Sequence, residues 1–304
     1  MILDELNIIA VVVTYNRISL LKENIIALQQ QTFPLNKIVI VNNNSTDGTT
    51  DYLKDNFFTN DKFCIINLDK NIGGSGGFFE GIKKAVTLDC NWVWLMDDDT
   101  IPTPNSLENL VSKINIVDNI GFLGSQVLFS DGTPHKMNNV SPATNYIRDI
   151  QWNTFSSQNL FSVNYLSFVS CMINVNAIKK VGLPYREFFI WGDDQEYTER
   201  IIKSGFFGGL VTDSIVYHKT KKNYAVIFKD ADDSLAWKYF YGERNRVFLQ
   251  KRNRSKINFI IWFLIDTYKT NKKLKQIYNN KKLKQQIKKG RLKGLTFSPK
   301  IDFV

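Results

Sequence analysis

Four short apolar runs, each followed by a helical pattern, fill the first 130 residues, and this alternation limits the fold more than any other feature of the chain. The runs are IIAVVVT (8–14), KIVIVN (37–42), CIINL (64–68) and WVWLM (92–96). Between them lie the helical stretch from Ser19 to Gln31, DGTTDYLKDNF, GGFFEGIKKAV and a further stretch after Pro104. Short β-branched or aromatic runs separated by helices imply βαβ units, and therefore a mostly parallel, Rossmann-like α/β sheet flanked by helices. Sites in such sheets gather outside the carboxyl ends of the strands. That rule selects Thr14–Arg17, Asn42–Asp47, Asp69–Gly77 and Asp97–Thr100.

Beyond residue 120 the pattern loosens. GFLGSQVLF and NYLSFVSCMINV read as short strands around a polar stretch from Ser130 to Asn159, which predicts a loop-rich extension of the sheet over about 121–185. A helical segment, DDQEYTERIIKSG, spans 193–205, and IVYH (215–218) reads as an edge strand. From about Ser234 the chain is helical, first aromatic and then basic. The expected division is an α/β domain over 1–230, with halves of about 1–128 and 129–230, followed by a helical basic region over 231–304. At 304 residues the chain is long enough for one large domain or two small ones.

Charge divides the chain in the same place. The net charge is +10, but residues 244–294 hold 17 Lys and Arg against the single acid Asp266, which leaves the remainder at −6. Cys64, Cys90 and Cys171 form an odd set without Cys-x-x-Cys spacing and read as buried thiols of a reducing compartment. The N-terminus lacks the basic start of a signal peptide, and the run from Ile257 to Ile265 is about half the roughly 20 residues of a spanning helix.

Four clusters carry chemistry. Met96-Asp97-Asp98-Asp99 ends a buried strand on three carboxylates, whose mutual repulsion calls for a cation or hydrogen-bond donors. Asp97 and Asp99, two apart, suit a shared divalent metal; an acid-rich helix start is the alternative. Asn71-Ile-Gly73-Gly74-Ser-Gly76-Gly77-Phe opens a helix after a strand, as a phosphate loop or a flexible turn would, but it fits neither the dinucleotide fingerprint nor a Walker loop. Trp191-Gly192-Asp193-Asp194-Gln195-Glu196-Tyr197 puts two acids at a helix start, as capping residues or with one as general base. His218 follows a strand and is either structural or a ligand.

Taken together, VVVTYNR (11–17), VNNNSTDGT (41–49), the 97–99 acids and DDQEY (193–197) resemble the family 2 glycosyltransferases of the GT-A fold over about 210 residues. NIGGSGGF (71–78), IWGDDQEY and YFYGERN (239–245) are similar to one branch, the bacterial galactofuranosyltransferases and rhamnosyltransferases of cell-surface glycan synthesis. The resemblance implies a GT-A domain with a C-terminal helical extension, a nucleoside-diphosphate sugar donor, bound Mn²⁺ or Mg²⁺, and inversion at the anomeric carbon. It implies Thr14, Tyr15, Arg17, Asn43, Asn71, Gly74 and Asp97 at the nucleotide-sugar, with Asn43 near the base. It further implies Asp97, Asp99 and His218 at the metal, Asp194 as catalytic base, and Trp191 and Asp193 at the acceptor. Many relatives carry Asp in the Asn42–Asn43 region, so the base is left open and dTDP-rhamnose stands beside UDP-galactofuranose as donor. An inactive nucleotide-sugar-binding protein is the reading from another class.

The basic segment 244–294 is expected to meet an anionic membrane surface rather than nucleic acid, for which it carries no recognised motif. Leu274, Ile277, Leu283 and Ile287 would form its thin apolar stripe. The expected location is the cytoplasmic face of a bacterial membrane, beside a glycan or glycolipid acceptor. Oligomeric state is left open.

Overall fold

A computed structural model describes residues 6–138, 140–143, 150–223, 233–275 and 280–304. The amino-terminal half is the anticipated alternation: β1 (Ile8–Thr14), α1 (Ile18–Gln29), β2 (Lys37–Asn42), α2 (Thr49–Phe57), β3 (Phe63–Asn67), α3 (Gly73–Val86) and β4 (Trp92–Asp97). The strands β3, β2, β1 and β4 lie side by side and parallel. All seven residues of β1 are buried, as expected of a strand covered on both faces. Successive side chains point to opposite faces, so Ile9, Val11 and Val13 enter one core while Ile8, Ala10 and Val12 enter the other. Helix α3 supplies Phe78, Phe79 and Ile82 to the first core; α1 supplies Leu21, Ile25 and Leu28 to the second.

The chain continues through β5 (Thr100–Pro102), α4 (Ser106–Val111), β6 (Ile120–Leu128), β7 (Ser141–Pro142), β8 (Leu160–Tyr165), β9 (Cys171–Asn174), α5 (Val175–Val181), α6 (Asp193–Lys203) and β10 (Phe207–His218). The sheet runs β3-β2-β1-β4-β9-β6-β10-β8-β7, with β5 also on β10. Two expectations are corrected here. The 121–185 region is no peripheral extension, because β9 inserts antiparallel between β4 and β6. The IVYH run is not an edge strand: it is the end of β10, held between β6 and β5. Both errors have one cause, since a short strand does not reveal from its own residues which neighbours it will pair with. Among the cysteines, Cys90 and Cys171 are buried, but Cys64 is half-exposed.

Three helices close the chain: α7 (Ala236–Arg252), α8 (Lys256–Lys275) and α9 (Lys281–Thr296). The stripe assigned to a membrane is corrected as well. Leu274, Leu283 and Ile287 are buried against Ala236 and Tyr239, and Ile277 lies outside the described residues. Helix α9 approaches α7 so closely that a Cβ at Gly290 would sit 2.3 Å from the Phe240 carbonyl oxygen. Arg246 and Arg291 share Glu243 and Asp266 in a network joining all three helices. No described helix is long and apolar enough to cross a membrane.

Candidate active site

The site forms where β1 and β4 end side by side. The chain leaves β1 toward β2 and returns from β3 to β4 on the other flank, so a crevice opens between the two carboxyl ends. Asp98 turns back and fastens this corner. Its carboxylate accepts from Thr14 Oγ1 (2.8 Å), the Tyr15 backbone N–H (3.3 Å) and Arg17 (3.3 Å). Arg17 also pairs with Asp99. Burial opposes the charge on Arg17, but Asp99, Asp98 and Asp97 outweigh it and raise its pKa. Burial raises Asp98 to about 7 even with Arg17 alongside. Tyr15 projects to solvent at the rim.

Asp97 and Asp99 crowd each other. Burial and the Asp99 charge push the Asp97 carboxyl up. Burial acts in the same direction on Asp99, but His218 and Arg17 overcome it and hold that carboxyl low. His218 Nε2 lies 3.3 Å from Asp99 Oδ1, an oxygen that is buried and has no close hydrogen-bond partner. Asn138 Nδ2 donates to Ser167 Oγ (2.8 Å), so Asn138 Oδ1 is free to accept from His218 Nδ1–H (2.9 Å). That leaves Nε2 as the nitrogen turned to Asp99, where a proton pairs the two groups and a divalent cation would fit in its place. His135 stacks on His218 with ring centroids 4.4 Å apart. Burial and then His218 lower the His135 pKa to about 4, so it adds no charge at neutral pH. Among the described residues, no three His, Cys, Asp or Glu side chains converge at ligand spacing. The nearest approach to such a site is Asp99 with His218, and Asp97 is their electrostatic neighbour. If this pair holds a divalent cation, Asn138→Ala should free the imidazole to rotate and weaken that binding about 10- to 100-fold, as loss of a ligand-orienting partner typically does; direct Mn²⁺ titration measures this.

The glycine loop sits across the crevice. Asn43 is buried, and its amide bonds twice to the loop: Oδ1 accepts from Ile72 N–H (2.9 Å) and Nδ2 donates to the Gly73 carbonyl (2.9 Å). Asn71 Oδ1 accepts from Gly73 N–H (2.8 Å). Gly73 is irreplaceable on two grounds: its φ is +79°, and a Cβ there would lie 2.1 Å from the Phe189 carbonyl oxygen. Gly74, by contrast, faces open space. Gly73→Ala should destabilise the fold by at least about 1–3 kcal/mol, the cost of the backbone conformation alone. A thermal melt checks that prediction.

Phe189 belongs to the third wall. The loop before α6 holds Phe189 and Trp191 at φ 66° each, a region side chains rarely adopt and one that survives only when surroundings enforce it. The enforcement comes from α7. Asn245 Nδ2 donates to the carbonyls of Phe188 (3.0 Å), Ile190 (3.2 Å) and Trp191 (2.9 Å), and Arg244 reaches those of Glu187 and Phe188. Tyr239 meets Trp191 edge-on at 5.0 Å, and Tyr241 stacks on Phe189 at 4.6 Å. The loop delivers Asp193, buried, and Asp194, half-buried, at the first turn of α6. Burial raises both carboxyl pKa values, Asp193 further through its neighbour Asp194. Asp194 also raises Asp97, which brings the α6 acids into one electrostatic cluster with those of β4.

Thr14, Arg17, Asp97, Asp99 and His218 thus gather at the ends of β1, β4 and β10, coupled electrostatically to Asp193 and Asp194 at the start of α6, while Asn43 and Asn71 brace the glycine loop and Trp191 belongs to the loop before α6. Sequence reasoning missed Asn138, His135, Lys238 and the work of Arg244 and Asn245. Lys238, on the first turn of α7, is half-buried; burial and Arg17 lower its pKa while Asp97 and Asp99 pull the other way. The YFYGERN motif drew notice without a role. Asn138 and His135 lie in a polar stretch that carries no pattern.

A mostly parallel sheet with acids gathered at the ends of its central strands, helices on both faces and a helical C-terminus is the GT-A arrangement of a glycosyltransferase. The chain belongs to glycosyltransferase family 2, whose profile (Glycosyl transferase family 2) it matches over residues 9–181. Galactofuranosyltransferase GlfT1 of Mycolicibacterium smegmatis is 24% identical over 219 residues, covering 68% of this chain and 70% of the relative. An uncharacterized glycosyltransferase of Bacillus subtilis, YwdF, is 33% identical over 108 residues, 36% of this chain and 38% of its own length. The same fold occurs in S. aureus TarS (TM-score 0.56, 15% identity), where the match covers 84% of this chain and 41% of that one. It occurs also in the mannosyltransferase PcManGT of Pyrobaculum calidifontis, solved with GDP-Man and Mn²⁺ (TM-score 0.55, 16% identity; 82% of this chain, 65% of that one).

Proposed function

We propose that this glycosyltransferase is an inverting, metal-dependent enzyme that moves a sugar from a nucleoside-diphosphate donor to a hydroxyl of a growing, lipid-linked cell-surface glycan. The observation that supports the reading is the electrostatic coupling of Asp194, at the start of α6, to Asp97, at the end of β4, since direct displacement needs a base near a neutralised leaving group. UDP-galactofuranose is the favoured donor, supported by the galactofuranosyltransferase relatives. dTDP-rhamnose is the alternative.

In this reading Thr14, Tyr15 and Arg17 line the nucleotide side, and Asn43, Asn71 and Gly74 set the glycine loop against ribose and diphosphate. Asp97, Asp99 and His218 would hold Mn²⁺ or Mg²⁺, a choice supported by the buried Asp99 Oδ1, which has no close hydrogen-bond partner and lies 3.3 Å from His218 Nε2. Such a cation offsets the charge of a departing diphosphate. Asp194 takes the proton of the acceptor hydroxyl, and Trp191 and Asp193 shape the acceptor pocket. The location implied is the inner face of a bacterial membrane.

A donor panel of UDP-galactofuranose, UDP-galactose and dTDP-rhamnose, each with Mn²⁺ and with EDTA, tests the proposal. Release of UDP from UDP-galactofuranose alone, falling at least about 10²-fold in EDTA, is expected from the size of transition-state charge stabilisation. Metal-dependent nucleotide binding without turnover on any donor and acceptor would instead favour the inactive binding protein.

A further inference from the structure

With the anticipated stripe buried, the exposed apolar surface of the C-terminal helices lies on the run that begins at Ile257, which the sequence marks as too short to span a membrane. On α8, Ile257, Ile260, Ile261, Leu264, Ile265 and Tyr268 all project to solvent, at successive spacings of three, one, three, one and three residues. Those intervals place all six on one face of the helix. Exposure reaches 71% at Ile257, 64% at Leu264 and 71% at Tyr268, values that surface aliphatic and aromatic residues in a continuous row rarely combine. The opposite face is occupied: Thr270 and Leu274 are buried, and Asp266, the sole acid of 244–294, is turned inward to Arg246 and Arg291. The outward face therefore carries no acid at all. Cations stand at both of its ends, with Arg254 and Lys256 before the row and Lys269, Lys272 and Lys273 after it, all exposed.

We infer that α8 docks this face onto an anionic lipid bilayer and lies along the interface, its apolar row in the acyl boundary and its basic ends among the headgroups. The row from Ile257 to Tyr268 is about 16 Å long at 1.5 Å per residue, roughly half the hydrocarbon thickness, so the helix suits lying on the surface and not crossing it. Charge selects the occupant. A two-fold pairing of two α8 faces would set one copy's basic ends against the other's, whichever way they ran. A nucleic acid would satisfy the cations but leave six apolar side chains in water. An anionic bilayer satisfies both. The consequence for the enzyme is geometric: α8 is tied to α7 through Arg246 and Asp266, and α7 holds the loop before Asp194, so docking would orient the acceptor side of the crevice relative to the membrane. The inference does not depend on which donor is used.

The test is sedimentation of the full chain with vesicles of pure phosphatidylcholine and of phosphatidylcholine containing roughly one-third phosphatidylglycerol. At least about tenfold tighter binding to the anionic vesicles is expected, weakened by salt yet not abolished because the apolar burial persists. A variant carrying Ile261→Glu and Leu264→Glu should lose at least about tenfold in that binding, with circular dichroism and thermal midpoint unchanged because both side chains are exposed. Lys272→Glu with Lys273→Glu should reduce the preference for anionic vesicles. The inference is overturned if the chain binds neither vesicle, if the glutamate variant binds like the parent, if the face instead sustains a concentration-dependent dimer, or if duplex DNA competes the protein off the vesicles at equal salt.

Discussion

Asp194→Asn should reduce sugar transfer by about 10²- to 10⁴-fold, the range a positioned general base contributes, while leaving donor binding and the fold in place. The amide has the shape of the carboxylate but cannot take a proton. Stability should not fall, because burial already disfavours the charge on Asp194. The pH dependence has a definite sign. Burial raises the Asp194 carboxyl to about 6, so the working ionised form is lost as pH falls through that value, and transfer should drop on the acid side. The acid limb should vanish from the residual activity of the variant. A kcat/KM profile from pH 5 to 8 for both proteins measures this; equal limbs in the two would remove Asp194 from the role of base.

Asn245→Ala should be nearly as damaging, although Asn245 touches no substrate in the proposed reaction. Its amide group is the donor shared by the carbonyls of Phe188, Ile190 and Trp191, in a loop that holds two side chains at positive φ. A buried carbonyl left without its partner costs about 1–3 kcal/mol, so removal of the shared donor should lower stability by on the order of 3 kcal/mol. The released loop would let Asp194 drift, and a displacement near 1 Å at a reacting group costs about 10²-fold in rate. The expected signature is a lower kcat with little change in donor KM and an unchanged acid limb, because the base is displaced and not replaced. A variant that loses stability but keeps kcat would show that α7 supports the fold without positioning the base.

Much of this site was legible in the chain. Thr14–Arg17, the glycine loop, the 97–99 acids and the 193–194 acids stand directly after strands or at helix starts, and the fold rule places those positions at one edge. Their residue types also state their chemistry, since carboxylates packed together need either a cation or donors. The division of duties among them was not legible. Asp98 spends its oxygens on Thr14, Tyr15 and Arg17, and Asn43 spends its amide on the glycine loop, because each meets partners from distant segments that have no sequence signal.

The C-terminal region shows the same boundary from the other side. The count of 17 basic residues to one acid identified it as a separate electrostatic unit, and the helical pattern was correct. Its separateness was not: α7 grips the loop before α6 through Arg244 and Asn245, and the exposed apolar face lies on α8 while the anticipated stripe is buried. By itself, then, the sequence determined the period of each element, the parallel sheet and the edge at which its acids collect, because these follow from local spacing and strand polarity. Only the tertiary structure decided the place of β9 and β10 in the sheet, the orientation of His218 by Asn138, and which side of each C-terminal helix is covered. Those depend on contacts between residues far apart in the chain, where burial on one face is settled by what packs there.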